Sequence, residues 1–358
     1  MFGFGKKDWQ ATINSDRTLT VKAGENLLAA GLAAGLDWPH DCRVGSCATC
    51  RCHLKKGKIK ALNDFSYVLT PEQLDEGMIL ACQTALKSDI EVEVELGESG
   101  AEKVAVGSYE GALRSLRKLT HDILEMTIAC DTPLPDGMLA GQYMEISHAG
   151  LANPRSYSFA KARENEKPGA ATFYVRLVPG GEFTEWLFAE DRSGTRMTIA
   201  GPYGNFWLRE SGLPMVCIAG GSGMSAVKAV LEDAGNRKVA RDAIFLFGAR
   251  TQDDIYCRDE LEDIARVWNP AHEFKYEYVL SNEPDDSSWQ GPRGFVTEHL
   301  HRSYIEPGLL DIKACQAYMC GPPPMIDAGI KALTEAGLDE GSIFYDKFLD
   351  ASTIPGGR

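Results

Sequence analysis

Cys42-Arg43-Val44-Gly45-Ser46-Cys47-Ala48-Thr49-Cys50, answered by Cys82 thirty-two residues beyond Cys50, decides how the first part of this chain folds. The spacing is C-x4-C-x2-C…C, by which one tight loop and one distant cysteine hold a plant-type [2Fe–2S] cluster. Three thiolates must crowd around two irons, and Gly45, Ser46 and Ala48 are small enough to let backbone N–H groups approach the sulfurs. Cys42, Cys47, Cys50 and Cys82 are therefore the expected metal ligands. A structural zinc site usually pairs two short C-x2-C arms, which this loop does not. A Cys47–Cys50 redox dithiol would have to open a helix after a strand. Cys52 has the parity of a buried thiol in a following strand and is not expected to ligate. His40 and His53 flank the loop without the paired C-x-H of a Rieske centre, and read as surface or packing residues.

Around that loop, residues 9–14 and 17–22 alternate about Asn14-Ser15-Asp16 as a β-hairpin, and Glu25–Gly35 reads as a short helix. Pro71–Gly77 is a second helical segment, residues 90–95 are a strand with one charged face, and Gly97–Glu102 reads as linker. From Val104 to about Glu210 short strands recur, at Glu110–Leu116, Ile123–Ala129, Tyr143–Ser147, Thr172–Leu177 and Arg196–Ala200, predicting an antiparallel barrel or sandwich. After Leu213 the pattern changes. Met215–Ala219 is a fully apolar strand, Ser225–Ala234 is helical, and Ala243–Phe247, Glu273–Leu280 and Ala317–Met319 repeat the strand role between helices, predicting a doubly wound parallel sheet.

Composition bounds the function. At 358 residues, two or three domains are expected. Thirty-seven basic against 51 acidic residues give a net charge of −14, which argues against a nucleic-acid surface. Arg51, Lys55, Lys56, Lys58 and Lys60 form one basic cluster, a solvated turn or a docking patch for an acidic partner. The apolar runs fall far short of the roughly 20 residues that a membrane crossing needs. Met1–Lys7 lacks an apolar signal core, so the cytoplasm is the expectation; a monomer with no membrane or nucleic-acid partner is expected as well. Ten cysteines without a secretion signal suit metal or redox chemistry better than disulfides.

Gly220-Gly221-Ser222-Gly223-Met224 follows the apolar strand and opens a helix. Glycines there let the backbone approach a dinucleotide pyrophosphate, and the helix N-terminus meets its charge. Arg250-Thr251-Gln252-Asp253-Asp254 follows the next strand; two aspartates favour a free ribose diol, hence NADH, while Arg250 keeps NADPH as the alternative.

With these motifs in this order, the chain resembles the reductases of bacterial oxygenases, such as the phenol hydroxylase and soluble methane monooxygenase reductases. The resemblance runs from the cluster loop to the C-terminus. It implies a multidomain protein: an α+β β-grasp ferredoxin domain at 1–98, a linker at 99–107, an antiparallel β-barrel FAD domain at 108–210, and an α/β doubly wound NAD domain at 211–358 whose tail returns to the flavin. Arg155-Ser156-Tyr157-Ser158 resembles the family's R-x-Y-[ST] motif, in which arginine pairs with the FAD pyrophosphate, tyrosine packs on the isoalloxazine and serine bonds near N5. Gly180–Thr184 resembles its G-x-x-[ST] turn, placing Gly181 and Thr184 at the pyrophosphate, and Gly201–Phe206 its G-P-x-G-x-F loop. Gly220, Gly221 and Gly223 would hold the NADH pyrophosphate.

Cys320-Gly321-Pro322-Pro323-Pro324-Met325 resembles C-G-P-P-x-M, whose cysteine sits against the nicotinamide C4. Phe344–Phe348 resembles F-x-E-x-F, which brings Phe348 near the flavin and lets Asp346, one methylene shorter than the family's glutamate, join a relay with Ser158 and Cys320. The resemblance implies transfer of hydride from NADH to FAD and of single electrons through the cluster to the hydroxylase of a multicomponent, diiron, monooxygenase. A Rieske-type dioxygenase and a sugar-deoxygenation enzyme are alternative acceptors. A metal-stabilised nucleotide-binding sensor is the alternative from another class.

Overall fold

The computed structural model describes residues 7–40, 45, 48–96, 106–151 and 153–348, and the chain divides into two units, 1–103 and 104–358. In the first, β1 (Trp9–Ile13) and β2 (Arg17–Val21) form the expected hairpin. Asn14 and Ser15 turn it at φ 50° and 62°, a region that, glycine aside, asparagine is among the residues to enter most readily. Helix α1 (Leu27–Ala33) is shorter than its apolar run because Asn26 caps it, its side chain accepting from Ala29 N at 2.8 Å. Then follow β3 (Arg51–Lys56), β4 (Ile59–Ala61), α2 (Pro71–Asp75), β5 (Met78–Leu80), β6 (Thr84–Leu86) and β7 (Ile90–Glu93). Thr70 and Gln73 close a capping box at the start of α2.

The sheet order is β2-β1-β7-β3-β5, with β1 and β7 parallel and the other pairs antiparallel, and β4 pairs with β6 apart from it. Ile13, Val21, Leu27, Trp38, Ile90 and Val92 are buried between sheet and helix, giving the expected β-grasp. The basic cluster is half balanced: Lys55 pairs with Glu93 at 3.0 Å and Lys56 with Glu91 at 2.9 Å.

The second unit opens with β8 (Gly107–Lys118), β9 (Ile123–Cys130), β10 (Tyr143–Ser147), β11 (Arg155–Ser158), β12 (Ala170–Arg176), α3 (Glu182–Ala189) and β13 (Arg196–Tyr203). Its antiparallel order is β11-β10-β13-β8-β9-β12. The two edges meet through a Phe159–Phe173 bridge and an Ala160 N to Thr172 O bond of 2.8 Å, so the sheet curls into a nearly closed barrel rather than a sandwich. Strand β13 runs on through Gly201-Pro202 to Tyr203, absorbing part of a segment expected as loop. Most of the expected linker lies outside the described residues.

Next come β14 (Met215–Gly220), α4 (Met224–Asn236), β15 (Ala243–Ala249), α5 (Arg258–Val267), β16 (Phe274–Leu280), α6 (Val296–Leu300), β17 (Gln316–Gly321), α7 (Pro323–Glu335) and β18 (Ile343–Lys347). All pair in parallel in the order β16-β15-β14-β17-β18. Strand β14 is buried throughout because both its faces are covered. Met215, Cys217 and Ala219 meet α4 and α5 on one side; Val216 and Ile218 meet α6 and α7 on the other. Burial of Met215, Val216 and Ile218 contributes about 1.5–3 kcal/mol each.

The core on the α4 side also takes in Ile123, Ala160 and Tyr174 of the barrel. Glu232 of α4, ion-paired with fully buried Lys228, accepts from Ala162 N at 2.8 Å, so the seam between barrel and sheet is satisfied as well as packed. Among the described residues, no helix is long and apolar enough to cross a membrane.

Candidate functional site

Strand order reverses between β14 and β17, and in open parallel sheets ligands bind beyond the carboxyl ends of the strands at that switch point. Here a cleft of about 540 Å³ opens there, lined by Gly220, Gly221, Phe247, Arg250, Phe295 and Pro322 among others. That volume suits a small-molecule or cofactor site. The glycine turn is built by contact. A Cβ on Gly223 would stand 2.1 Å from Cys320 O, so the turn after β14 interlocks with the turn after β17 only if that residue has no side chain. Gly221 lies at φ 54°, with its carbonyl held by Tyr256 Oη at 2.8 Å.

The three expected catalytic residues converge beside this turn. Cys320 and Asp346 are register partners on β17 and β18, and Ser158 Oγ, at the end of β11, donates to Asp346 Oδ2 at 3.4 Å. The short aspartate thus reaches its serine, because β18 joins the sheet as a fifth parallel strand, which the sequence reading has only as a returning tail. Burial, and then the Asp346 charge, push the Cys320 thiol well above its ordinary value, so it stays neutral. Phe348 N donates to Gly321 O at 2.9 Å, fixing that aromatic next to the same corner.

The expected diphosphate binders of the barrel also meet. Arg155 donates to the carbonyls of Asn153 at 2.6 Å and Pro154 at 3.2 Å, and lies 3.5 Å from Glu182, the first residue of α3. Gly180 at φ 74° turns the chain into that helix, whose cap is Gly181. The Thr184 hydroxyl is turned into its own loop, donating to Val178 O at 3.2 Å and accepting from Val178 N at 3.1 Å, so it shapes the helix start. Tyr157 packs on Phe183 at 5.7 Å between ring centroids and remains half-buried, while Ser156 is exposed. An arginine at a helix N-terminus beside a half-open phenol fits a flavin dinucleotide.

In the first unit, Cys50 and Cys82 are buried together. Ala81 N donates to Cys50 O at 3.1 Å and Cys82 N to Cys50 Sγ at 3.5 Å, while Gly45 and Ala48, at φ 83° and 57°, tighten the loop. An amide aimed at sulfur suits thiolate ligation of an iron–sulfur cluster. Cys42 and Cys47 lie outside the described residues. Cys52 is buried on β3 opposite Ile79, its thiol pushed up by burial and by Cys50.

Sequence reasoning misses three cleft residues. Phe295, 65% exposed ahead of α6, offers a stacking face at the mouth. Asp122 and Arg176 belong to the barrel yet line this cleft. Arg176 Nε donates to Asp122 at 3.0 Å, and a Cβ on Gly221 would lie 3.6 Å from Arg176 Nη1. Only the folded seam brings them there; no spacing signals it.

Comparisons with known proteins agree with this layout. Family models match residues 11–87 as a 2Fe-2S iron-sulfur cluster binding domain, 110–207 as an oxidoreductase FAD-binding domain, and 217–330 as an oxidoreductase NAD-binding domain. The chain is 39% identical to the xylene/toluene monooxygenase electron transfer component XylA of Pseudomonas putida, over 92% of this chain and 90% of that one. It is 31% identical to the phenol 2-monooxygenase reductase component DmpP of Pseudomonas sp. CF600, over 93% and 92%. A solved ferredoxin reductase of carbazole 1,9a-dioxygenase superposes with a TM-score of 0.75 at 28% identity, covering 96% of this chain and 99% of that one. With cluster, flavin and nucleotide domains in one order over nearly its whole length, the chain belongs to the family of [2Fe–2S], FAD- and NAD-binding oxidoreductases that serve as the electron-transfer components of oxygenases.

Proposed function

We propose that this chain oxidises NADH and delivers its electrons singly to the hydroxylase of a multicomponent diiron monooxygenase. The observation that carries the reading is the meeting of Ser158, Cys320 and Asp346 at the end of the sheet that bears the nucleotide cleft. When bound, FAD accepts hydride from NADH and the [2Fe–2S] cluster carries single electrons onward. The chain's own residues position and insulate. Ser158 and Asp346 hold a proton beside the flavin, and the neutral Cys320 thiol shapes the nicotinamide pocket without acting as a nucleophile.

Arg155, Ser156, Tyr157, Gly181, Thr184 and Phe348 take the flavin; Gly220, Gly221, Gly223, Arg250, Gly321 and Pro322 take the nucleotide. Cys42, Cys47, Cys50 and Cys82 hold the iron. We assign the ferredoxin, flavin and nucleotide functions to residues 1–98, 108–210 and 211–358, joined by 99–107, in a cytoplasmic monomer.

The 39% identity to a xylene/toluene monooxygenase component favours a monooxygenase acceptor and a role in aromatic hydrocarbon catabolism. A Rieske-type dioxygenase acceptor is the second reading, favoured by the likeness to the carbazole dioxygenase reductase. Anaerobic addition of NADH should bleach both flavin and cluster absorbance, and the reduced protein should then reduce a diiron hydroxylase faster than a Rieske oxygenase. Zinc in the cysteine loop, or a preparation that binds no flavin, rejects the reductase reading; faster reduction of the Rieske protein rejects the acceptor.

A further inference from the structure

Arg250 is the first residue after β15, the strand next to the glycine turn, where dinucleotide folds read the adenosine ribose and where an arginine commonly accommodates a 2′-phosphate. Its guanidinium already lies within ion-pair distance of two carboxylates. Nη2 lies 3.7 Å from Asp254 Oδ1 on its own domain and 3.9 Å from Asp122 Oδ2 on the barrel, and His121 Nε2 is 3.4 Å away. Asp122 is far better fixed than the arginine it faces. Thr120 Oγ1 donates to its Oδ1 at 3.0 Å, Arg176 Nε to its Oδ2 at 3.0 Å, and Leu177 N to its backbone carbonyl at 2.8 Å. Its side chain is 16% exposed against 57% for Arg250.

We propose that Asp122, a residue of the flavin barrel, sets the nucleotide preference of the neighbouring domain by withholding Arg250 from a 2′-phosphate. This rests on the NADH reading above. A phosphate dianion arriving at Arg250 meets two carboxylates within 4 Å of the cation it needs, and their repulsion offsets much of that attraction. A free ribose diol carries no charge and meets neither. Asp122 has a second task that does not discriminate: it orients Arg176 toward the glycine turn, where the diphosphate common to both nucleotides would lie. Loss of that task weakens both nucleotides alike and cancels in their ratio. Asp122 is therefore a positioning residue whose signature is the ratio, which a loss of stability alone would leave unmoved.

The test is the ratio of kcat/KM for NADPH to that for NADH, measured by ferricyanide reduction with flavin- and iron-replete protein. Asp122→Asn should raise it roughly fivefold or more, the scale of an exposed ion pair plus a relieved repulsion, and Arg250→Ala added to it should remove the gain. Asp254→Asn, on the other domain, should raise the ratio by a smaller factor and serves if Asp122→Asn does not fold. An unchanged ratio in the folded aspartate variants, or a gain that survives Arg250→Ala, overturns the proposal. Wild-type protein that prefers NADPH overturns the NADH reading instead, before any substitution is made.

Discussion

The cysteines divide evenly, five at 42, 47, 50, 52 and 82 and five at 130, 217, 257, 315 and 320, and among the described ones Cys50 and Cys320 face opposite electrostatics. In the first unit, Cys50 receives an amide from Cys82, an arrangement that favours sulfur carrying negative charge. In the second, burial pushes Cys217 and Cys257 up to about 12, and burial with the Asp346 charge raises Cys320. The difference teaches that a thiol's role is set by what faces its sulfur, not by the residue type. Cys320 lies beside Asp346 as a neutral thiol, whereas Cys82, far from it in sequence, is proposed as a ligand of the cluster.

The largest effect should come from breaking the first set. Cys82→Ser should cut reduction of cytochrome c or the hydroxylase by at least roughly a hundredfold, more than loss of an outer-shell partner costs; NADH-driven ferricyanide reduction should persist. Full-speed protein reduction in that variant breaks the contrast. The flavin corner is graded instead: Asp346→Asn or Ser158→Ala should slow flavin reduction by roughly 10–100-fold, the range for a small misplacement of reacting groups, with little change in KM for NADH. Stopped-flow traces as fast as wild type would remove the Ser158–Asp346 pair from the chemistry.

Next, Gly223→Ala should destabilise the second unit by about 1–3 kcal/mol, because its Cβ meets the Cys320 carbonyl rather than a movable side chain; urea midpoints measure it. The smallest effect sharpens the comparison from the buried thiols. Their pKa is raised by folding, so their contribution is fully present below the ordinary thiol value of about 8.5 and is lost as pH rises toward 12. Apparent Tm should therefore fall gradually above about pH 9, and more shallowly once Cys217 is replaced by alanine.

Contiguity decides how much of this was legible. The cluster loop, the glycine turn and the Cys320–Met325 turn are each one short run whose residue types state their job. The doubly wound sheet shows in apolar runs of strand length, such as Met215–Ala219, buried on both faces. Barrel against sandwich was open because both give short alternating strands; the Phe159–Phe173 bridge that decides it links residues that no local pattern pairs. The sequence shows β18 only as a tail, since Ile343–Lys347 alternates weakly and is mostly half-buried at a sheet edge. Asp122 and Arg176 stay hidden for a different reason: they are barrel residues by sequence and cleft residues by position.

Strand β18 also sets an order of assembly. Ser158 and Cys320 are both synthesised before Asp346, and a parallel edge strand has no hairpin to guide it, so it docks only after β17 is in place. The corner is thus finished late: a nascent chain can fold its barrel and most of its sheet before the carboxylate arrives, which delays the proposed redox corner until β18 itself has been made.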